Sequence, residues 1–382
     1  MALPAAMSFF FALILLGIPV WAVGHGASAV ELGYLGAIGS LVYLLSVPFS
    51  GRLSDRYNPR AVGTVAALLF AAAAACIPFT RTLPPLYAIV AVYSFALSLY
   101  WPSLESQLAH VLHAGNLSQR TGLYNISWSS GIAVGTLAGG YIYEAAPVAT
   151  FYLAAAGAAL LPLLFFVFPP LTVNHDTEIP PPPPPHPHAH PVFLPVARLS
   201  NVAFWFGLGI LRSIFPKLAL DLGLSASWIG ILLCSLSLGM ALVFALYAVS
   251  GFWQFRRDLL LGSQGLALFG LLVVAVSSSP AGFLLGFAVI GLAAAHSYSG
   301  GLYYSLYFST KPGEAEPSTV GHNSGLHEFF IGLGGFFGPL LGGPLAKHVH
   351  PRLPYLVAGA VMVLVMVGSQ LWIKRALKQP SG

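Results

Sequence analysis

The chain has 382 residues, of which 57% are hydrophobic and 7% charged, and its 16 basic and 11 acidic side chains give a formal charge of +5. Soluble domains carry about 25% charged residues, so this chain has too few polar groups to cover a water-facing surface. The basic residues lie singly between apolar runs, which excludes a nucleic-acid patch and reads as membrane topology.

A helix needs roughly 20 apolar residues to cross a bilayer, and interior Gly or Pro is tolerated. Twelve stretches meet that length: 5–24, 31–51, 60–79, 84–108, 120–143, 148–169, 196–217, 226–250, 258–277, 280–307, 321–344 and 354–374. The predicted fold class is an all-α integral membrane protein of twelve transmembrane helices. The first stretch lacks a basic leader and a small-residue cleavage site, so it reads as a retained span. Span two runs into GRLSDRYNPR at 51–60. Span four sets Tyr93, Leu97, Tyr100 and Trp101 along one side, with Glu105 near its end. Span five begins at Arg120 and carries Asn125, Trp128 and a ladder of Gly131, Gly135, Gly139 and Gly140.

Spans six and seven are separated by a segment rich in Pro and His that includes Pro180 to Pro185, a run that forbids helix and favours an extended linker. Its histidines, His175, His186, His188 and His190, alternate with prolines or stand apart, which imposes no ligand geometry, so no metal site and no cofactor are expected. The predicted domains are a six-helix bundle over 1–169, the linker over 170–195 and a second bundle over 196–382. Span seven places Asn201, Trp205, Leu208 and Arg212 on one face, and span ten places His296, Gly300, Tyr303 and Tyr304 likewise. Span eleven holds His327, Glu328 and a second ladder of Gly334, Gly338, Pro339, Gly342 and Gly343. Cys76 and Cys234 fall inside apolar stretches and form no disulfide framework.

The two ladders coincide under a shift of 203, and Pro19, Gly26, Ser28, Ala29 and Gly33 map onto Pro216, Gly223, Ser225, Ala226 and Gly230 under a shift of 197. The halves are therefore a parallel repeat, with six extra residues expected in the 250s loop and the shift of 203 pairing span four with span ten. Lys and Arg concentrate in one set of loops and the C-terminal tail, where Arg52, Arg56, Arg60, Arg120, Arg198, Arg256, Arg257, Lys311, Lys374, Arg375 and Lys378 lie. The opposite set holds Arg81, Lys217, Lys347 and Arg352, so both termini are expected in the cytoplasm, of a bacterial inner membrane.

The segment GRLSDRYNPR resembles the loop signature of the major facilitator superfamily through Gly51, Leu53, Asp55, Arg56 and Arg60. Asn58 stands where glycine is usual and is expected to accept a left-handed backbone; Pro59 replaces a basic residue. The ladders resemble that superfamily's antiporter signature, complete with Pro339 in span eleven and with Thr136 replacing proline in span five, although tight helix packing accounts for them equally. Span four lacks the arginine that the superfamily associates with proton coupling. The resemblance implies two pseudo-symmetric six-helix halves around a cavity lined by spans one, four, seven and ten. It also implies that Asp55, Arg56 and Arg60, together with Arg120, gate the cytoplasmic side; the plainer reading is a charged loop anchor.

Within that frame the candidate substrate-binding residues are Tyr93, Tyr100, Trp101, Asn201, Trp205, Arg212, His296 and Tyr303. Arg212 is the sole cation deep in a span, where a charge is expensive and usually faces protein or a wet cavity; pairing near the outer end is the alternative. The aromatic residues either line the cavity or pack helices. Glu105, His327 and Glu328 are candidates for proton coupling, or for a static gate with Arg120. No nucleotide-binding loop, catalytic triad or metal-ligand spacing occurs, so no enzyme is expected. The function expected is a monomeric secondary transporter that exports a small organic solute by alternating access, with proton coupling as a further expectation. The alternatives are an uptake permease or uniporter for a sugar or organic acid, and a non-transporting membrane scaffold or sensor.

Overall fold

A computed structural model describes residues 2–111, 117–167, 186–308 and 318–378, except the side chains of 51, 52, 54, 55, 105–111, 165–167 and 318–324. The described residues fold into thirteen α-helices and contain no strand. The first half contains α1 (Ala2–Gly24), α2 (Ala29–Arg56), α3 (Pro59–Cys76, extended by a 3-10 turn Ile77–Phe79), α4 (Leu83–Val111), α5 (Leu117–Ala145) and α6 (Pro147–Val167). The second contains α7 (Phe193–Ser213), the short α8 (Phe215–Asp221), α9 (Ala226–Val249), α10 (Arg257–Val276), α11 (Pro280–Tyr307), α12 (Ser318–His348) and α13 (Leu353–Ala376). Span seven is thus two helices. Pro216 lacks the N–H that would continue α7, and the backbone breaks at Ile214. We call the side carrying the α1–α2 and α8–α9 turns the turn face, and the side carrying the α2–α3 turn and the linker the loop face.

Eleven helices are long and apolar enough to span a bilayer by themselves; α5 is the twelfth span and falls short of that hydropathy. Its buried face explains the difference. Ser118, Thr121, Asn125, Ser129 and Thr136 are all buried, because this face of α5 is wedged between α1 and α9, while Val134 and Tyr141 are exposed on its outer face. Two of these hydroxyls turn back on their own helix, with Ser129 Oγ donating to the Asn125 carbonyl at 2.6 Å and Thr136 Oγ1 to that of Ile132 at 2.9 Å.

The repeat is visible contact by contact. Gly26 (φ 84°) and Gly223 (φ 81°) make the same left-handed turn, which a side chain would strain, and Ser28 and Ser225 then start α2 and α9 with matching backbone angles. In the ladders, Gly135 packs on the Phe9 carbonyl and Gly338 on that of Phe206, 197 residues later. Across the halves, a methyl on Gly140 would lie 2.7 Å from the Ala226 carbonyl, and one on Gly343 would lie 2.7 Å from the Ala29 carbonyl. Each ladder therefore seats one helix of its own half and one of the other. Small residues permit that approach, as close packing requires.

Two expectations change. The shift of 203 does not pair α4 with α11. Leu83 starts α4 and Pro280 starts α11, 197 apart, and Ser94 against Gly39 is reproduced by Gly291 against Leu236 under the same 197. The shift therefore changes from 197 in α11 to 203 in the α12 ladder, and not in the 250s loop. A slip of six residues rotates a helical position by about 600°, leaving it roughly 120° from the intended face. That rotation moves His296 and Tyr304 off the wall that their supposed mates, Tyr93 and Trp101, occupy. The second correction concerns Asn58, which has φ −58° and ψ 117° and is not left-handed. Pro59 confines it to extended backbone, and its side chain caps α3 by accepting from the Arg60 N–H at 2.9 Å.

Candidate functional site

Between the halves lies a cavity of about 260 Å³, with walls drawn from α1, α2, α4, α5, α7, α11 and α12. Most of its lining is apolar or aromatic. On the first-half side stand Phe11, Leu15, Tyr93, Trp101, Tyr124 and Trp128; on the other stand Trp205, Arg212, Tyr298, Glu328 and Ile331. Helical spacing explains the grouping on α7, since Trp205, Gly209 and Arg212 succeed one another along one face. Gly209 is needed there because a methyl would lie 2.8 Å from the Pro339 ring.

Among the described residues, only two charged side chains line the cavity. The Arg212 guanidinium lies over the Trp205 ring, 5.0 Å from its centre. Its Nη2 is enclosed without a hydrogen-bond partner, and no carboxylate pairs with Arg212 among the described residues. Glu328 accepts a hydrogen bond from Tyr43 Oη at 3.1 Å, which ties α12 to α2 across the halves. An aromatic chain continues from Trp205 to Tyr298 (6.5 Å between ring centres) and on to Trp128 (5.2 Å).

Of the expected substrate-side residues, Tyr93, Trp101, Trp205 and Arg212 line this cavity. Tyr100, Asn201, His296 and Tyr303 do not. Tyr100 is fully buried behind Trp101, and Asn201 accepts from Ser297 Oγ at 3.1 Å inside the second half. His296 is hydrogen-bonded through Nδ1 to Tyr247 Oη at 2.8 Å, and Tyr303 packs on Trp253, with ring centres 5.1 Å apart. Tyr303 belongs to an aromatic cluster on the loop face, which His296 adjoins and where Trp253 and Phe255 of the α9–α10 loop fill the space beneath α11. His186 of the linker joins that cluster, its ring 5.0 Å from Phe255 and its N–H donating to Tyr307 Oη at 3.0 Å. Burial, and secondarily the neighbouring His188, holds the His186 imidazole below its ordinary pKa.

The expected gating and coupling residues separate too. The side chains of Asp55 and Glu105, and His175 of the linker, lie outside the described residues. Arg56 rests 5.9 Å from the Tyr57 ring in solvent, and Arg120 Nε is buried without a hydrogen-bond partner. His327 and Glu328, adjacent in sequence, diverge: His327 is buried against Tyr298, with ring centres 5.1 Å apart and neither nitrogen hydrogen-bonded, while Glu328 faces the cavity. The loop face has its own tie between halves, since Ser118 Oγ donates to the Tyr247 carbonyl at 3.0 Å and accepts from Gln254 Nε2 at 3.3 Å. Sequence reasoning missed Phe11, Tyr43 and Tyr298. The signal for Tyr298 was available, because the shift of 197 sets it opposite Trp101.

The family model of the Major Facilitator Superfamily matches residues 1–206 and again 198–382, one match on each half. The chain is 23% identical over 357 residues to "Multidrug resistance protein 1" of Bacillus subtilis, covering 90% of this chain and 88% of that protein. It is also 23% identical over 374 residues to "Quinolone resistance protein NorA" of Staphylococcus aureus, covering 91% and 90%. Among solved structures, the nucleoside transporter NupG superposes with a TM-score of 0.72 at 13% identity, covering 97% of both chains. Two matched halves, twelve spans and a shared central cavity agree: the chain belongs to the major facilitator superfamily of membrane transporters.

Proposed function

We propose that this protein is a secondary active transporter that exports a small, partly aromatic organic solute by alternating access, with its loop face in the cytoplasm. The observation that carries this reading is the cavity itself, which both halves line and whose turn-face side is bounded by contacts between halves. There Gly33 meets Pro339 and Gly343, and Gly140 meets Ala226 and Gly230. Contacts of glycine on backbone can separate and re-form as rigid halves rock, because no side chain interlocks them. Export is supported by the two relatives, whose names are those of resistance proteins. The orientation rests on the excess of Lys and Arg on the loop face, including Arg56, Arg60, Arg256, Arg257, Lys374 and Arg375.

In this reading Tyr93, Trp101 and Trp205 hold the apolar body of the solute, and Glu328 is the proton carrier. Glu328 is a carboxylate on the cavity wall whose contact with Tyr43 crosses between halves, so protonation would loosen one of the ties that opening must break. Everted vesicles energised by a pH gradient should accumulate an aromatic organic solute, and dissipating the gradient should stop accumulation. The Glu328→Gln variant should retain exchange of solute and lose the response to the gradient. Accumulation only in right-side-out vesicles would establish uptake instead, and no flux in either would remove transport.

A further inference from the structure

We infer that the solute is an organic anion, carrying one carboxylate or similar oxyanion on a compact aromatic body, and that Arg212 and Trp205 form its recognition site. The assignment rests on the transporter reading above. A guanidinium keeps its proton throughout the physiological range and, buried, is ordinarily matched by an anion or by several acceptors. Arg212 has neither among the described residues: its guanidinium rests on the face of Trp205, and Nη2 is enclosed with no acceptor. The indole offsets part of the cost of burial but supplies no oxygen for the N–H groups. At the wall of a cavity, the absent partner is the part of a ligand that arrives there.

The surroundings specify the rest of the ligand. A carboxylate meeting a guanidinium side-on makes two parallel hydrogen bonds and fixes the plane of whatever is attached to it. Trp205 lies beneath that guanidinium, and Tyr298 and Trp128 extend its aromatic surface along the wall. A flat apolar body attached to the carboxylate would run along this surface. The volume, about 260 Å³, falls near the lower end of ligand pockets, which suits one or two fused rings and not a long amphiphile. Repeat comparison singles out the same residue. Leu15, the mate of Arg212, also lines the cavity, so the positive charge is confined to one wall and can orient a molecule with one charged end.

The test uses three probes of one shape: naphthalene-2-carboxylate, naphthalene-2-carboxamide and 2-naphthylmethylamine. Binding to the purified full-length protein is read by tryptophan quenching and thermal shift, and transport by counterflow in proteoliposomes. The wild-type protein should bind the carboxylate roughly 10- to 100-fold more tightly than the carboxamide. In Arg212→Gln that preference should vanish while carboxamide binding persists, which also reports that the variant is folded. Arg212→Lys should recover part of the preference, because a point charge replaces the fork. Equal binding of carboxylate and carboxamide, preference for the amine, a carboxylate preference that survives Arg212→Gln, or displacement of the carboxylate by chloride alone would overturn the assignment. Counterflow of carboxamide or amine without carboxylate would overturn it and leave the transporter reading standing. No counterflow of any probe by folded protein would overturn both.

Discussion

The two halves place equivalent residues on opposite walls of one cavity and then give them different chemistry. Under the shift of 197, Ser8 faces Trp205, Leu15 faces Arg212 and Trp101 faces Tyr298; under 203, Trp128 faces Ile331 and Asn125 corresponds to Glu328. All of these residues except Asn125 line the cavity, yet both charges on its wall among the described residues belong to the second half. The scaffold glycines behave oppositely. Gly140 on Ala226 and Gly343 on Ala29 are the same contact made twice: a methyl on either would lie the same 2.7 Å from the facing carbonyl. Duplicated backbone contacts have stayed symmetric because the halves must meet along both, whereas cavity side chains face only the solute and can diverge.

The sharpest way to break that comparison is to erase its asymmetry. Arg212→Leu, which installs the residue of its mate, should reduce carboxylate counterflow roughly 10- to 100-fold. Its melting temperature should not fall, because replacing an unmatched buried charge by a hydrophobe is often neutral or stabilising. A lower melting temperature would instead mean that Arg212 is a structural partner. Leu15→Arg, the reverse change, should destabilise the protein by about 3 kcal/mol, measured by thermal unfolding in detergent. The double exchange tests the symmetry itself: with the cation on the first-half wall, carboxylate preference should partly return, and its complete absence would mean the walls are not interchangeable.

The symmetric elements make a smaller and paired prediction. Gly140→Val and Gly343→Val each force a side chain onto a facing carbonyl, so each should cost about 1–3 kcal/mol and hold the turn face ajar. Cysteine labelling at Ser213 should rise in both variants, by similar amounts. A change in one alone would show that the two crossings are not equivalent. The smallest effect concerns Asn58. Asn58→Ala removes the cap on α3 and should cost about 1 kcal/mol, while Asn58→Gly, the residue usual in the resembling signature, should cost a few tenths.

How much of this could be read from the chain depends on the physics behind each feature. The spans, the repeat and the ladders were legible because bilayer thickness and close helix approach impose composition and spacing directly. Even α5, whose polar residues lower its hydropathy, was legible as a stretch of spanning length over 120–143. The register of α11 was not legible in the same way. The aromatic residues at 296, 303 and 304 imitate those at 93, 100 and 101 under a shift of 203, and nothing local to the helix says which match is structural. Contacts decided it, since Gly291 on Leu236 repeats Ser94 on Gly39. Asn58 was misread for a related reason, because a motif position suggested a glycine-like turn where the following proline required extended backbone.

Sequence alone thus determined that the chain lives in a membrane, that it consists of two related halves, and that Arg212 is the ionisable residue hardest to explain as structure. Each follows from solvent, since apolar length, repeated small residues and a stranded charge are meaningful before any helix has a neighbour. Only the tertiary structure decided which aromatic residues face the cavity, that Glu328 does so and His327 does not, and that Arg212 rests on Trp205 without a carboxylate among the described residues. A helix shows the same residues whichever way it is turned about its axis, and that rotation is set by packing against other helices.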